Sequence, residues 1–187
     1  MELEPFDEDL RHRDIVPYSP VYGDIFQMVR DYVTRDLSDV DLVHIGSTAI
    51  SDLRGKPMID LLAVTERENL RMAQVDLEEL GFHRRKVWVD RDDKPYVCGS
   101  LTHLGKRYNI NIHVCHIEDP TYTDAMSFMG ILRDRPDLRR KYEAAKDHAH
   151  DVEPENAERY NREKESVIRS ILELASSSQT VMSRRIT

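Results

Sequence analysis

The chain has 187 residues and a formal net charge of −8 at neutral pH, because 35 acidic residues outnumber 27 lysines and arginines. This length suits one domain with a substantial core, and the acidic balance argues against non-specific binding to nucleic acid, whose phosphates need a basic surface. No segment approaches the roughly 20 consecutive apolar residues of a membrane-spanning helix, so no membrane association is expected.

The N-terminus and the cysteines predict the cellular compartment. The first residues, MELEPFDEDLRHRD, are acidic and lack the apolar stretch of a signal peptide. The two cysteines, Cys98 and Cys115, do not make a disulfide framework. We therefore expect a cytoplasmic protein, organised as a single domain over residues 1–176, with a disordered tail over residues 177–187.

The first half of the chain predicts helices that alternate with strands. Residues 20–38 repeat apolar side chains at three- and four-residue spacing, which is typical of an amphipathic helix. The short apolar runs at residues 41–46 and 57–64 predict two strands. Residues 66–80 predict a charged helix with leucines on one face, and Gly81 suits its C-terminal end.

The second half predicts more strands and then helices. Residues 82–90 alternate as a strand does, and residues 96–104 and 107–117 predict a hairpin around Gly105 and Lys106. Helices are predicted from Pro120 almost to the end, with breaks near Pro136 and at residues 152–154. Strands in the middle with helices at both ends favour an α/β or α+β domain with a mixed sheet.

The stretch VHIGSTAISDLRGKPMID, residues 43–60, carries the clearest functional signal. It is not a P-loop, because the motif needs Gly at position 50 and Ser or Thr at position 57. Glycine in a turn lets the backbone approach a ligand, and exposed amides and hydroxyls there can bind phosphate. A carboxylate on the next strand can hold Mg²⁺. Strand alternation puts Asp60 on one face with Met58 and Leu62, so Asp60 can point towards the Gly-Ser turn.

This stretch resembles the signature of the GrpB family, within the nucleotidyltransferase-fold superfamily, whose members read close to EHIGSTAVPGLxxKPIID. The matching positions are His44 to Ala49, Lys56, Pro57, Ile59 and Asp60. The strand INIHV resembles a family strand that ends in a histidine, here His113. Downstream, FMGILRDRP resembles the family's F-R-D-x-L-R-x-x-P, and YEAAK and YNREK resemble its Tyr-x-x-x-Lys segments. The corresponding residues are Phe128, Leu132, Arg133, Pro136, Tyr142, Lys146, Tyr160 and Lys164.

The resemblance implies a nucleotidyltransferase-like mixed sheet flanked by helices, with a C-terminal helical part. It implies a protein that binds a nucleotide or phosphorylated metabolite, with metal-dependent nucleotidyl transfer as its activity. In that reading Asp60 and His113 are the catalytic and metal-binding residues. The phosphate-binding residues are Gly46, Ser47, Thr48, Lys56, Arg133, Lys146 and Lys164.

The sequence departs from catalytic nucleotidyltransferases, which carry a second carboxylate two residues after the first and a third on a later strand. Here those positions hold Leu62 and His113, and Met129 and Gly130 replace an Arg and an Asp of the family helix. Two sites stay open: a single Mg²⁺ or Mn²⁺ held by Asp60, His113 and waters, or a metal-free phosphate pocket. The alternative to an enzyme is a catalytically reduced regulatory or folding-assistance module with a protein partner, like the domain fused to dephospho-CoA kinase in some bacteria.

Each candidate residue also has a purely structural explanation. Asp60 can cap backbone amides, and residues 46–48 can form a tight turn with local hydroxyl bonds. His44 and His113 can be hydrogen-bonded core histidines. In the Tyr-x-x-x-Lys segments, the tyrosine can pack inward while the lysine extends to solvent. A structural zinc site is not favoured, because His113 and Cys115 lack a second pair of ligands at zinc spacing.

Overall fold

The structure is a computed structural model that describes residues 1–12, 15–84, 94–152 and 162–174. It consists of two compact units, residues 1–123 and residues 124–187. The predicted tail at residues 177–187 lies outside the described residues, and the single domain over residues 1–176 stays a prediction. None of the described helices is long and apolar enough to cross a membrane.

Four strands form one mixed sheet in the first unit. They are β1 (Asp41–Ile45), β2 (Met58–Val64), β3 (Tyr96–His103) and β4 (Lys106–Cys115). Their order across the sheet is β1-β2-β4-β3. β2 pairs in parallel with β4, whereas β1 with β2 and β3 with β4 are antiparallel. The predicted mixed sheet is therefore confirmed, with a parallel pair at its centre.

Two helices, α1 (Val21–Asp36) and α2 (Leu70–Glu79), pack on one face of this sheet. Their buried apolar side chains form one core with alternate residues of the strands, such as Ile59, Leu61 and Ala63 on β2. Because strand side chains alternate between faces, the intervening residues of β2, including Asp60, lie on the face opposite these helices. Strand alternation alone left either face open to Asp60, and the structure places it on the face away from these helices, beside the Gly-Ser turn.

Among the described residues, the predictions for the hairpin and for the helix at 66–80 hold apart from small shifts at element ends. The hairpin loop consists of Leu104 and Gly105, one residue earlier than predicted. Both residues have positive φ, 49° and 73°. Two such residues match the twist of the flanking strands. The predicted helix at 66–80 begins as a 3-10 turn at Arg67–Asn69 before α2, and Gly81 ends it with φ of 103°. In the predicted strand at 82–90, His83 bridges to Cys98, while residues 85–90 lie outside the described residues.

The N-terminal strap, residues 4–10, lies along β3 and β4, which the sequence pattern did not indicate. The backbones of Glu4 and Ser100 exchange two hydrogen bonds of 2.8 Å. The side chain of Asn109, which is fully buried, accepts from the amide of Asp7 and donates to its carbonyl, at 2.9 and 2.7 Å. Arg107 adds a 2.7 Å hydrogen bond to the carbonyl of Pro5.

The described residues of the second unit are largely helical, as predicted. α3 (Pro120–Asp134) starts at the end of the first unit and continues into the second, and α4 (Pro136–Val152) follows the break at Pro136. Residues 162–174 are also helical. The rings of Phe128 and Tyr142 meet edge to face at 5.1 Å and are both buried in this unit.

Candidate functional site

The bend after β1 and the carboxylate of Asp60 are adjacent in space. Antiparallel pairing places Ile45 opposite Asp60, so Gly46, the next residue, lies beside that side chain. A Cβ built on Gly46 would stand 3.0 Å from Oδ2 of Asp60, closer than nearly all real Cβ contacts. The sheet thus brings together the two features that the sequence placed on neighbouring segments. The ligand roles predicted for them stay predictions.

The conformation of Gly46 explains why glycine stands at this bend. Its φ of 77° and ψ of −167° lie in a region that is essentially restricted to glycine. The bend then continues as a 3-10 turn, Ser47–Ala49, in which the amide of Ala49 donates to the carbonyl of Gly46 at 3.3 Å. Ser47 is half-buried on this turn. The backbone of the bend therefore passes the carboxylate with no side chain between them.

Hydrogen bonds of Thr48 connect the bend to β1 and to the start of β2. The buried Thr48 hydroxyl donates to the carbonyl oxygen of Met58 at 3.0 Å. Nε2 of His44 lies 3.0 Å from the hydroxyl oxygen of Thr48. A hydroxyl has one proton, so His44 must donate from Nε2. The His44 ring stacks on Phe26 at 5.1 Å. The hydroxyl proton of Thr48 is thus used inside the protein, whereas its predicted role towards phosphate stays a prediction.

The carboxylate of Asp60 is held by an asparagine that the sequence analysis did not single out. Parallel pairing places Asn111 directly opposite Asp60. Nδ2 of Asn111 donates to Oδ1 of Asp60 at 2.8 Å, and the hydroxyl of Tyr96 donates to Oδ1 of Asn111 at 2.5 Å. Oδ2 of Asp60 receives no hydrogen bond from any described residue. The available signal was a polar amide inside the apolar strand INIHV.

His113 lies on the same face of the sheet as Asp60, one step farther along β4. It pairs with Leu62 on β2 and with Tyr96 on β3, and its ring lies 5.1 Å from the ring of Tyr96. The residue opposite Asp60 is therefore Asn111 and not His113. In the part of the chain that the structure describes, no group of three or more His, Cys, Asp or Glu side chains is placed to hold a metal ion.

Both cysteines are buried thiols. Burial raises the pKa of the Cys115 thiol to about 12, and the nearby carboxylate of Asp119 contributes in the same direction. Because a metal binds the thiolate, this environment disfavours ligation. Cys98 is buried, and its sulfur lies 3.3 Å from the carbonyl of His83.

The predicted cationic residues lie in both units. Lys56 is half-buried in the connection that leads into β2 of the first unit. In the second unit, Arg133 is exposed on α3 and Lys164 is half-buried in the helical residues 162–174. The structural explanation that Lys146 extends to solvent is wrong, because Lys146 is only 1% exposed. Its Nζ lies 4.7 Å from the centre of the Tyr142 ring, a cation–π contact that favours the buried position.

Comparison with known proteins gives matches over most of the chain. The sequence profile of a family described as GrpB protein matches residues 13–174. Glutamate-rich protein GrpB of Alkalihalophilus pseudofirmus is 27% identical over 135 residues, which are 71% of this chain and 76% of that protein. The crystal structure of protein GrpB from Enterococcus faecalis aligns with a TM-score of 0.66 and 19% identity, over 87% of this chain and 99% of that one.

Larger nucleotidyltransferase-fold proteins share the same architecture. The Cid1 poly(U) polymerase bound to MgGTP aligns with a TM-score of 0.50 and 15% identity, over 78% of this chain and 42% of the polymerase. A second structure of it, with Mg 3'-dATP bound, aligns with a TM-score of 0.50 and 12% identity, over 86% and 49%. The chain thus spans less than half of the polymerase. At these identities the likeness shows the fold, which confirms the expected nucleotidyltransferase-like architecture.

Proposed function

Since this chain belongs to the GrpB family and has a nucleotidyltransferase fold, we propose that it binds a nucleotide or another phosphorylated metabolite. The proposed site consists of the bend, residues 46–48, and the carboxylate of Asp60. The observation that carries the proposal is the packing of Gly46 against Asp60, where a Cβ would stand 3.0 Å from Oδ2. A backbone in a conformation restricted to glycine, beside a carboxylate oxygen that accepts no hydrogen bond from the described residues, suits a ligand that approaches the main chain closely.

Charge decides how a phosphate could occupy this site. A carboxylate and a phosphate oxygen 4 Å apart repel by about 4 kcal/mol per pair of unit charges at an effective dielectric constant of about 20. A cation between them converts this repulsion into attraction. Oδ2 of Asp60 is the oxygen that would contact such an ion, because Oδ1 already accepts a hydrogen bond from Asn111. Mg²⁺ commonly binds through one or two carboxylates together with phosphates and water.

The side chains fit one such ion and do not fit two. Two hard cations held by the protein need several oxygen ligands. The position of the usual second carboxylate is Leu62, which is fully buried, and the residue opposite Asp60 is an amide. When bound, a single ion would neutralise phosphate charge and orient the phosphates against the bend. We derive no two-metal transfer step.

This donor set favours binding without nucleotidyl transfer. The second candidate function is therefore a nucleotide-responsive regulatory or folding-assistance module that acts through a protein partner. The observation in its favour is the amide of Asn111 at the position opposite Asp60. A transferase would release pyrophosphate from a nucleoside triphosphate, whereas a module of this kind would bind the triphosphate unchanged.

Thermal unfolding with nucleoside mono-, di- and triphosphates, with Mg²⁺ or with EDTA, tests the proposal. A ligand at about 100 times its Kd stabilises the native state by about 2.7 kcal/mol. We expect stabilisation with Mg²⁺ and a nucleotide, and loss of its Mg²⁺-dependent part in Asp60→Asn but not in the control Asp52→Asn, which changes an exposed carboxylate. Absence of any shift, or the same Mg²⁺ dependence in Asp60→Asn, would overturn it. Pyrophosphate release would shift the assignment to a transferase.

A further inference from the structure

The carboxylate of Asp60 faces the side-chain amide of Asn111 on the neighbouring strand, and this amide affects what the carboxylate can bind. The hydrogen bonds run in one direction, from Tyr96 to Asn111 and from Asn111 to Asp60. An ionised carboxylate only accepts, so Asn111 must present Nδ2 to it. Oδ1 of Asn111 then faces Tyr96 and can only accept, so the tyrosine hydroxyl must donate. The carboxylate therefore fixes the amide orientation, and the tyrosine hydroxyl, which can donate or accept, donates in response.

This arrangement leaves Asp60 as the one oxygen donor of the pair. Oδ1 of Asp60 is 2.8 Å from Nδ2 of Asn111, which also lies 2.7 Å from the sulfur of Met58. An NH₂ group cannot coordinate a cation, and it occupies the position next to the carboxylate where a second oxygen ligand would lie. Oδ2, on the side of Gly46, is the carboxylate oxygen that accepts no hydrogen bond from Asn111.

We infer that Asn111, which presents its NH₂ group to Asp60, is the residue that makes this site selective for a metal–phosphate complex over the free metal ion. One carboxylate with no second oxygen ligand beside it holds a hard cation weakly, so the ion arrives with the phosphates that supply the other ligands. This inference rests on the proposed function for the identity of the ligand. The selection against the free ion is a property of Asp60 and Asn111 alone.

The register offers a substitution that reverses the selection. Asn111→Asp replaces the amide by a carboxylate of the same size at the same position opposite Asp60. Two carboxylates on neighbouring strands then face each other, an arrangement that binds divalent cations readily. Asn109 provides a control for added charge in the folded protein, because it lies on the same face of β4 but opposite Met58, and its hydrogen bonds go to Asp7 of the strap. Asn109→Asp adds the same charge away from Asp60.

The experiment measures binding of Mn²⁺ alone, without nucleotide, by calorimetry or by loss of the free-ion EPR signal. We expect no saturable site in the wild type below about 1 mM, the weak end of protein sites for hard cations. Asn111→Asp should tighten Mn²⁺ binding by about tenfold or more, and the double variant Asn111→Asp/Asp60→Asn should lose that gain. Asn109→Asp should bind like the wild type. Far-UV circular dichroism checks that each variant is folded.

Two results would overturn the inference: tight binding of Mn²⁺ alone to the wild type, or no gain in a folded Asn111→Asp. If Asn111→Asp does not fold, the wild-type measurement still decides, because a free-ion site tighter than about 1 mM contradicts it. The outcome is separable from that of the proposed function. A wild type that binds no nucleotide, together with a gain in Asn111→Asp, would end the proposed function and leave the role of Asn111 intact.

Discussion

Replacing Gly46 by alanine tests the geometry on which the site depends. The φ/ψ of Gly46 is strained for any other residue, which costs about 1–3 kcal/mol. Alanine also lowers the conformational entropy of the unfolded chain, which offsets about 0.4–1 kcal/mol of this loss in stability. The new Cβ would stand 3.0 Å from Oδ2 of Asp60, which Asn111 holds in place, so overpacking adds about 1 kcal/mol. We expect the variant to lose about 2 kcal/mol, which lowers Tm by about 4–8 °C in a chain of this size.

Two other glycines separate the contributions, with urea and thermal unfolding followed by circular dichroism as the assay. Gly105→Ala introduces strain alone, because φ is 73° and nothing lies within 4 Å of the new Cβ, so we expect a loss of about 1 kcal/mol or less. Gly23→Ala, in α1 and also without neighbours within 4 Å, should stabilise the protein by about 0.5–1 kcal/mol.

A double-mutant cycle isolates the contact with the carboxylate. In the Asp60→Ala background, the nearest atom to the new Cβ is Cβ of residue 60 at 3.5 Å, an ordinary contact. The cost of Gly46→Ala should then fall by about 1 kcal/mol. The reasoning fails if Gly46→Ala costs no more than Gly105→Ala, or if the cycle shows no coupling.

Three further predictions concern the strap and the buried side chains. Burial lowers the pKa of His83 below its usual 6.5. The stabilising contribution of neutral His83 should therefore be present above pH 6.5 and lost as the pH falls through the folded-state pKa. Denaturation midpoints at pH 8 and pH 5 should differ less in His83→Gln than in the wild type. Asn109→Ala should cost about 2–3 kcal/mol, because it leaves the amide and carbonyl of Asp7 without their partner, and faster hydrogen exchange in the strap would distinguish this from a general loss of stability. The two thiols, Cys98 and Cys115, are 0% and 2% exposed and should not react with a thiol reagent at pH 8 until the protein is unfolded; rapid labelling of the native protein would contradict this.

The stretch from residue 43 to residue 60 shows what local pattern can establish. Apolar runs on both sides of Gly46 predict two strands, and strand alternation places Asp60 on the face opposite Ile59 and Leu61. Both conclusions follow from neighbours within a few residues, because strand geometry repeats every two residues. The hairpin at Gly105 and the break at Pro136 were predictable for the same reason, since these residues restrict or permit backbone angles locally.

The partner of Asp60 could not be predicted in the same way. Asn111 is 51 residues away in sequence, and its position depends on the register in which β2 and β4 pair. A shift of that register by one residue would have turned the asparagine to the opposite face. His113 was the predicted ligand on this strand because histidine is a recognisable metal ligand, whereas the two asparagines of β4, Asn109 and Asn111, carry no comparable signal.

By itself, then, the sequence determined the order of strands and helices, the glycine bend and the residues that share a face with Asp60, since each depends on contacts within a few residues. Tertiary structure decided that Asn111 holds the carboxylate, that the strap residues 4–10 pair with β3, and that Lys146 is buried against Tyr142. These features depend on which distant segments pack together. Strand register and core packing are set by the burial of the chain as a whole, and a local pattern does not specify them.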